Sequence, residues 1–459
     1  MRDGTKRKID EVQYTPISDL LFFNVLLSSQ VICFFKAFAI RITISKFQLR
    51  YPTEVMNDQD SALLSRSKAA AEAKIEESAA ALHELSNDIW THPELNYEEH
   101  HAHASLTDFL EREGFEVTRN FHLDTAFKAT YGTDGGVHVC VICEYDALPD
   151  IDHACGHPLI AESGAAAGLG IKAALELPDA PKGRVTVMGT PAEEGGGGKI
   201  KLINAGAFQG IDAAMMVHPY PRNVSRPVIL ACTTMDITFT GRAAHASSCP
   251  WEGVNALDAA VLCYANISAM RQQLKPEWRV HGTIVKAGNC ASIIPEESQM
   301  TFYLRTVESI DMPTLKEKIG GCAKGAASAT GCKVEFTFGG DYANLATNEA
   351  LASVYERQLS ELSVDYATSE VTFSTDMGDV SYVVPSIHPL YYIGTDAANH
   401  SREFNTATGA DAAQKPTLAQ AKAMAFTCLD LMQPGNSHLL DKVKKEFNDK
   451  VMPLNDAQS

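Results

Sequence analysis

The order of strand, reactive loop and helix is visible in one stretch of sequence, VHVCVICEYDALPDIDHACGHPLIAESGAAAGLGIKAALEL, which covers residues 137–177. Residues 137–143 are rich in valine, isoleucine and cysteine, which is typical of a buried β-strand. Residues 159–177 are rich in alanine and leucine and long enough to predict a helix. A strand followed by a helix that leads to a further parallel strand is the repeating unit of an α/β sheet. This stretch therefore predicts an α/β fold.

The same alternation recurs along the chain. Further β-rich runs, each followed by glycines or by a helical stretch, are predicted at residues 184–189, 213–217 and 390–393. Upstream, residues 61–91 predict one amphipathic helix, and residues 98–113 predict a second that is closed by Gly114. Because crossovers between parallel strands place helices against the sheet, we expect a mostly parallel sheet that is covered on both faces.

The pattern changes between residues 233 and 338. The predicted order there is β-α-β-β-α-β, which is the ferredoxin-like split unit. Since α/β elements resume after Leu345, we expect this small α+β domain to be inserted into the larger one. The predicted boundaries are residues 59–231 and 341–459 for the larger domain and residues 232–340 for the insertion. The two domains should share a cleft, where ligands commonly bind.

The composition is that of a folded, acidic protein. Hydrophobic residues make up 45% of the 459 residues and charged residues 21%, which excludes disorder, collagen and coiled coil for most of the chain. The formal net charge of −18 repels phosphate backbones and no basic patch compensates for it, so we predict no nucleic-acid partner. Eleven cysteines in 459 residues are too dilute for a disulfide scaffold, and the sequence has no pair of CxxC motifs, which favours a reducing, cytoplasmic compartment.

An apolar run at residues 20–35 stands apart from the predicted domains. As a helix of about 16 residues it would span ~24 Å, which is less than the ~30 Å hydrocarbon core, and Asn24 interrupts it. No small-residue cleavage site follows it. We therefore interpret residues 1–58 as an extension outside the fold and expect no membrane span, with a membrane-anchored form as the open alternative.

Reactive side chains follow the ends of the predicted strands. Because the carboxyl ends of parallel strands meet at one edge of an α/β sheet, segments that are far apart in sequence should converge there. A single histidine in such a place is more often a core residue, and a Cys-x-His pair in a turn arises by chance. Five such segments together favour a site. They contain Glu144 to Asp146, His153 to His157, Glu193 with Glu194, His218, and His400.

Cysteine, histidine and glutamate in one place indicate a metal site. Thiolate and imidazole are good Zn²⁺ ligands, and carboxylates bind divalent metals more generally. A closed structural zinc site uses four ligands, whereas this set is spread from residue 155 to residue 400 and exceeds four. It is therefore typical of a catalytic pair of divalent metals that share one bridging group.

Several strings resemble the M20 family of metallopeptidases, and within it the amidohydrolase branch that includes aminobenzoyl-glutamate hydrolase and related dipeptidases. They are EYDALP (144–149), HACGH (153–157), PAEEGGGGK (191–199), GRAAHAS (241–247), VNALDA (254–259) and STDMGDVSY (374–382). The resemblance covers roughly residues 60–435. It implies that the inserted domain closes the site and forms a dimer surface. It also implies two divalent metal ions per subunit, with Zn²⁺ expected and Mn²⁺ or Co²⁺ as alternatives.

The same resemblance implies roles for individual residues. Cys155 would bridge the two metals, and Glu193 would be the general base for a metal-bound water that attacks the amide carbonyl. His245 would stabilise the oxyanion by reaching across a dimer interface. Arg305 would bind a substrate carboxylate, with a surface ion pair as its alternative. The other implied metal ligands are His157, Glu194, His218 and His400.

Three positions depart from the family pattern. Glu144 and Asp146 stand where carboxypeptidase members have His-x-Asp, so we expect Glu144 not to bind metal and Asp146 at most to orient a ligand. Pro158 stands where relatives usually have Asn or Asp. Ser292 replaces an asparagine that lines the substrate site in relatives, which makes it a predicted substrate-binding residue beside Arg305. The reaction is therefore better defined than the substrate.

The leading hypothesis is a binuclear, metal-dependent amide hydrolase that acts on dipeptides or N-acyl amino acids and works as a homodimer. An aminoacylase that removes non-peptide acyl groups is the alternative within the same chemistry. A non-catalytic metal-binding interaction module is the alternative from another class. Loss of Glu193 or of a metal ligand would mark such a module, and neither is lost here.

Overall fold

The computed structural model describes residues 57–370 and 373–454. Its helices are α1 Asp58–Glu77, α2 Ala79–Thr91, α3 His100–Arg112, α4 His157–Leu175, α5 Gly198–Asn204, α6 Ala256–Met270, α7 Met312–Thr330, α8 Glu349–Glu361, α9 Met377–Val380, α10 Arg402–Thr408, α11 Gln414–Met432 and α12 Ser437–Lys450. Its strands are β1 Glu116–Arg119, β2 Phe127–Gly132, β3 Val137–Cys143, β4 Gly183–Gly189, β5 Ala213–Met215, β6 His218–Tyr220, β7 Ala231–Thr240, β8 Arg279–Lys286, β9 Glu297–Thr306, β10 Lys333–Tyr342, β11 Ser386–Ile387 and β12 Leu390–Tyr392.

The predicted extension up to residue 56, with its apolar run at residues 20–35, lies outside the described residues. Within residues 57–370 and 373–454, no helix combines the length and the apolar character that crossing a membrane requires.

The larger sheet has six strands in the order β1-β2-β4-β3-β5-β11. The strands β4, β3, β5 and β11 run parallel, while β1 and β2 pair antiparallel at one edge. The mostly parallel α/β sheet expected from the sequence is confirmed. The two antiparallel strands were not expected, because β1 has only four residues and β2 only six, and runs this short are weak signals in a sequence.

Helices cover both faces of this sheet. In β3, Val139 and Val141 point into a core formed with α1, α4 and α11, whereas Cys140 and Ile142 point into a second core on the opposite face. Gly164 lets α4 approach the sheet closely, since a Cβ there would lie 2.7 Å from the Ile142 carbonyl oxygen. The close contact of α4 with β3 holds the start of α4 at the carboxyl end of the strand.

The single helix predicted over residues 61–91 is wrong in its extent, because the structure has two helices, α1 and α2, that are divided at Ser78. The ψ of Ser78 is −3°, which is outside the α-helical range, so the helical path changes there. Serine interrupts helices readily because its side chain competes for backbone hydrogen bonds. Ile75 and Leu82, on either side of Ser78, are both fully buried and hold the two helices against the core.

The inserted part forms a second sheet of four antiparallel strands in the order β10-β7-β9-β8. The helices α6 and α7 pack on one face of it, around Met235, Phe239 and Phe302. The predicted β-α-β-β-α-β order and the ferredoxin-like α+β unit are confirmed. The boundaries at residues 232 and 340 stay a prediction; β7 begins at Ala231 and β10 ends at Tyr342.

The strand predicted at residues 390–393 does not join the larger sheet. Instead β12 pairs in parallel with β6 in a two-stranded sheet, and the short β11 takes the edge position beside β5. Pro389 lies between β11 and β12 and has no N–H for a sheet ladder, so the strand is interrupted there. The interruption places a new strand pair beside the larger sheet, and in that pair His218 is the register partner of Leu390.

Glu162 is a fully buried carboxyl in the middle of α4, and its Oε2 accepts a hydrogen bond from Gln414 Nε2 at 3.1 Å. Burial raises the pKa of Glu162 to about 8. A carboxyl whose pKa is higher in the folded state contributes its full stability below the unfolded pKa of ~4.3. That contribution is lost as the pH rises through the folded pKa.

We therefore expect the free energy of unfolding to fall less between pH 6 and pH 8 in Glu162→Gln than in the parent, because glutamine cannot ionise. The difference should be about 2 kcal/mol, since one pH unit is worth up to ~1.4 kcal/mol for one proton. Urea unfolding at the two pH values measures it. Glu176→Gln, at the exposed end of the same helix, is the matched control and should follow the parent. Parallel pH dependence of all three proteins would contradict the expectation.

Candidate metal centre

The predicted reactive segments converge at the carboxyl ends of the parallel strands. Glu144 directly follows β3, and the loop from 152 to 156 leads into α4, which begins with His157. Glu193 and Glu194 follow β4, and His218 opens β6. The backbone N–H of His400 donates to the Ala154 carbonyl at 2.9 Å, which brings the C-terminal loop to the same place. One edge of the sheet thus assembles side chains that are up to 245 positions apart in sequence, from 155 to 400.

Six of the predicted site residues form one cluster. Cys155 Sγ lies 3.4 Å from His218 Nε2, and His400 Nε2 lies 3.3 Å from Glu194 Oε1. The cluster contains three groups of potential ligand residues, and within each group the ligand atoms lie within 4.8 Å of one another. They are Cys155 with His157 and His218, Cys155 with Glu194 and His400, and His157 with Glu193 and Glu194. Cys155 is common to the first two groups, which is the geometry that a bridging ligand requires.

The residues of this cluster fit divalent metal ions. His157 Nε2 and Glu194 Oε1 are buried and have no hydrogen-bond partner among the described residues. Leaving such atoms unpaired is costly, so their presence indicates a ligand that is not part of the protein. Thiolate, imidazole and carboxylate together suit Zn²⁺ and neighbouring first-row metals.

Asp146 orients two of these candidate ligands. Its Oδ1 lies 3.0 Å from His157 Nδ1, and its Oδ2 accepts a hydrogen bond from the Glu194 backbone N–H at 2.9 Å. Burial opposes a charge on His157, but the Asp146 carboxylate outweighs it and raises the pKa of His157 well above its ordinary value. Because Asp146 binds Nδ1, the other ring nitrogen of His157 is turned towards the cluster. This is the orienting role expected of Asp146 from the sequence.

His218 has a different environment. Its Nδ1 lies 2.8 Å from the Pro219 carbonyl oxygen, so that the ring donates there and Nε2 faces Cys155. Its ring stacks on His388 with centroids 5.5 Å apart and contacts Phe373 at 4.9 Å. Burial and, next, the neighbouring His157 lower the pKa of His218 to about 3. The neutral ring that results is the form in which histidine binds metals.

Glu193 is nearly buried, at 7% exposure, and lies beside other carboxylates. Burial first, then Glu144 and Glu194, raise its pKa well above the ordinary value. The residue before it, Ala192, has a φ of 58°, which is the left-handed region that alanine rarely adopts. The Ala192 N–H donates to Glu99 Oε1 at 2.9 Å, and this hydrogen bond helps to hold the strained turn. Glu99 was not predicted from the sequence, because it lies in a loop 93 positions upstream.

A buried ion triad beneath the cluster was also missed. Lys199 Nζ lies 2.5 Å from Glu144 Oε1 and 2.7 Å from Asp376 Oδ1, and all three residues have no exposed surface. Burial would lower the pKa of Lys199, but Asp376 and Glu144 raise it above its ordinary value. Glu144 therefore faces a lysine through one oxygen. Lys199 belongs to the string PAEEGGGGK and Asp376 to the string STDMGDVSY, both quoted above. Nothing in those strings predicts that the two side chains form an ion pair.

The predicted residues of the inserted domain lie apart from this cluster. His245 is exposed, and its Nδ1 accepts hydrogen bonds from the backbone N–H groups of Ser247 and Ser248, both at 3.3 Å. Ser292 is its neighbour, since the Ser292 carbonyl accepts from the Ala246 N–H at 3.0 Å. Within the described part of the chain, no hydrogen bond or ion pair joins His245 or Ser292 to the metal-ligand cluster.

Arg305 connects the inserted domain to the segment that borders the cluster. Its Nη1 donates to Ser374 Oγ at 2.6 Å, and its guanidinium lies 5.6 Å from the centre of the Tyr303 ring. Ser374 directly follows Phe373, which contacts His218. Among the described residues Arg305 forms no ion pair, so the surface ion pair considered as its alternative role is not observed.

Removal of the buried ammonium should destabilise the fold strongly. We expect Lys199→Met to lower the free energy of unfolding of the metal-free protein by about 3–5 kcal/mol, because it leaves two buried carboxylates unpaired. Adding Glu144→Gln and Asp376→Asn to it should restore at least half of the loss. Urea unfolding in the presence of a chelator measures both. Lys201→Met, an exposed position on the same helix, is the control, and an equal loss there would contradict the expectation.

Comparisons with known proteins show the family of this chain and several of its relatives. The family model described as peptidase family M20/M25/M40 matches residues 140–415. A Xaa-Arg dipeptidase of Mus musculus is 45% identical over 402 residues, which cover 84% of this chain and 93% of that protein. One of the p-aminobenzoyl-glutamate hydrolase chains of Escherichia coli (strain K12) is 26% identical over 443 residues, which cover 79% of this chain and 91% of that protein.

A solved structure of the family has a similar fold. A Bacillus subtilis crystal structure, described as a dinuclear metal binding peptidase from the M20 family, superimposes with a TM-score of 0.59 at 20% sequence identity. The match covers 75% of this chain and 98% of that one. The family resemblance stated from the sequence motifs is confirmed. By its matched family model and its 45% identity to a relative over most of both chains, this chain belongs to peptidase family M20/M25/M40.

Proposed function

We propose that this protein is a metal-dependent hydrolase that cleaves the amide bond of dipeptides or N-acyl amino acids. The observation that carries the proposal is the buried cluster in which His157 Nε2 and Glu194 Oε1 have no hydrogen-bond partner among the described residues and Glu193 lies alongside. Two of the relatives reported above carry names that describe the cleavage of such bonds, namely a dipeptidase and an aminobenzoyl-glutamate hydrolase. Family membership and site chemistry thus lead to the same reaction class.

Two divalent ions would occupy the cluster. Cys155 would bridge them, because it belongs both to the group with His157 and His218 and to the group with Glu194 and His400. Zn²⁺ is the proposed metal since the donors combine sulfur, nitrogen and oxygen, and Mn²⁺ or Co²⁺ are the alternatives. When bound, such ions polarise an amide carbonyl and lower the pKa of a water molecule.

Glu193 would act as the general base. Its carboxylate is nearly buried at the edge of the cluster, where it can take a proton from the attacking water and pass it to the leaving amine. Burial first, and then the neighbouring carboxylates Glu144 and Glu194, raise the pKa of Glu193, which favours the proton-bound form that the group must reach within each cycle. Glu194, the next residue, would serve the metal instead, because its Oε1 lies 3.3 Å from His400 Nε2 and it shares a group of potential ligand atoms with Cys155 and His400.

The inserted domain would complete the site and form a homodimer. His245 is exposed, and among the described residues it forms no hydrogen bond or ion pair with the cluster, which supports the oxyanion role in the partner subunit. The strand β8 is a sheet edge, and Val285 on it is 61% exposed; Val261 on α6 is 51% exposed. An unpaired edge beside apolar surface favours association with a second copy. Arg305 and Ser292 would bind the substrate.

The substrate class follows less directly. The Xaa-Arg dipeptidase relative supports dipeptides with a C-terminal cationic residue as the first candidates, and the net charge of −18 is compatible with them. An aminoacylase that removes a fatty or aromatic acyl group is the alternative, and the aminobenzoyl-glutamate hydrolase relative keeps it open.

The mechanism predicts different effects for two neighbouring carboxylates. Glu193→Gln should keep its metal and lose turnover by at least ~100-fold, the scale of a lost general base. Glu194→Gln should lose metal as well, because it removes a ligand charge. Metal content by elemental analysis and amide hydrolysis by amine release measure both effects. Parental turnover in Glu193→Gln would contradict the mechanism, and metal binding without turnover in the parent protein would favour the non-catalytic module.

The substrate hypotheses separate in one panel. We expect the parent protein to hydrolyse alanyl-arginine and β-alanyl-lysine at least ~10-fold more efficiently, in kcat/KM, than N-acetyl-arginine, N-benzoyl-arginine or p-aminobenzoyl-glutamate. A tenfold difference in kcat/KM corresponds to ~1.4 kcal/mol of transition-state binding. Chelator-treated protein is the blank, and its activity should return on addition of Zn²⁺. Preference for the acyl or aroyl compounds would favour the aminoacylase alternative.

A further inference from the structure

Tyr342 touches the backbone of the general-base loop from outside the metal cluster. Its hydroxyl donates to the Glu193 carbonyl oxygen at 3.0 Å and accepts a hydrogen bond from the Gly197 N–H at 3.1 Å. A single side chain thus bridges the two ends of the loop 193–197. None of the strings that carry the family resemblance contains Tyr342, and the metal cluster does not account for it.

The loop has little freedom of its own. Gly197 has a φ of 62°, and a Cβ at Gly198 would lie 1.8 Å from the Pro191 carbonyl oxygen, so the backbone folds tightly back on itself. On one side it is held by the larger domain, where Glu99 binds the Ala192 N–H and the Tyr97 hydroxyl donates to the Gly196 carbonyl. The Glu193 carbonyl is held on the other side by Tyr342.

Tyr342 is also the last residue of the inserted sheet. It ends β10 after a break in the register with β7 between Gly339 and Tyr342, and the chain then returns to the larger domain. A bulge of this kind re-aims a side chain relative to the regular sheet. The ring therefore leaves the sheet and reaches the loop, while its backbone stays part of the inserted domain.

The returning chain is fastened directly after Tyr342. The Ala343 N–H donates to Asp379 Oδ2 at 3.1 Å, and the Ala346 N–H donates to Ser381 Oγ at 2.8 Å. Gly378 allows this close contact, since a Cβ there would lie 1.9 Å from the Ala343 carbonyl oxygen. Residues of the STDMGDVSY string thus hold the backbone of residues 343–346 in place. Tyr342 directly precedes this held segment.

We propose that Tyr342 is a positioning residue for the general base: its hydroxyl sets the backbone of Glu193, and it makes the placement of Glu193 depend on the docked position of the inserted domain. The inference rests on the proposed function only for the role of Glu193. Small displacements of a catalytic group cost large factors in rate, so the loss of this contact should be visible in turnover.

Tyr342→Phe tests this with the ring retained. We expect kcat on alanyl-arginine to fall ~10-fold while KM stays within about twofold and metal content is unchanged, because substrate and metal contacts remain. In the chelated protein, hydrogen exchange of the backbone amides 193–198 should become faster than in the parent. A merely structural role would not produce this local change together with a selective loss of kcat.

Tyr382→Phe is the matched control. The Tyr382 hydroxyl donates to Asn344 Oδ1 at 2.8 Å, and the Ser309 N–H and hydroxyl donate to the same oxygen. Like Tyr342, Tyr382 is half-buried, so this variant removes a comparable tyrosine hydroxyl beside the returning chain without touching the loop. It should lose thermal stability to the same extent as Tyr342→Phe and keep parental kcat and exchange in 193–198.

The outcomes separate the two levels of inference. If the parent hydrolyses amides and Tyr342→Phe matches Tyr382→Phe in kcat or in loop exchange, the positioning role is wrong although the proposed function stands. If the parent hydrolyses none of the amides, the proposed function fails, and the role of Tyr342 as a positioning residue for a base fails with it. Faster loop exchange together with the selective loss of kcat supports the proposal.

Discussion

Repulsion among five carboxyl groups at the carboxyl edge of the parallel strands is the constraint on which the site depends. The five groups are Glu144, Asp146, Glu193, Glu194 and Asp376. Carboxylates removed from water are tolerated only where cations, protons or hydrogen bonds offset them. Lys199 offsets Glu144 and Asp376, and His157 offsets Asp146. Glu193 and Glu194 lie beside His157 and His400, and metal ions bound at the proposed site would offset their charge, so that such ions would have an electrostatic as well as a chemical part there.

The same edge joins the two sheets of the protein. Residues 373–376 contact three different parts of the site in succession, since Phe373 packs against His218, Ser374 binds Arg305 of the inserted domain, and Asp376 binds Lys199. Tyr342 makes the complementary connection from the inserted sheet to the Glu193 loop. Movement of the inserted domain would therefore act directly on residues that contact the candidate metal cluster and the Glu193 loop.

The sequence predicted the regular parts of the fold well. Its buried strands and the β-α-β-β-α-β order of the insertion lie where the periodicity put them, because hydrophobic spacing reports burial over several consecutive residues. The expectations that were wrong concern short or interrupted elements. The antiparallel strands β1 and β2 are only four and six residues long, Ser78 divides one helical run, and Pro389 separates two short strands that pair with different sheets. In each case a local break outweighs the average character of the run.

The chemistry of the donors was already determined by the sequence. The predicted residues Cys155, His157, Glu193, Glu194, His218 and His400 lie together because each follows or opens a strand or helix whose position hydrophobic pattern and motif already indicate. The groups that support them were decided by the tertiary structure alone. Lys199 meets Asp376 across 177 positions, and Tyr342 meets Glu193 across 149. Such contacts depend on how two sheets and their connecting loops are placed in space, and no local periodicity or spacing contains that information.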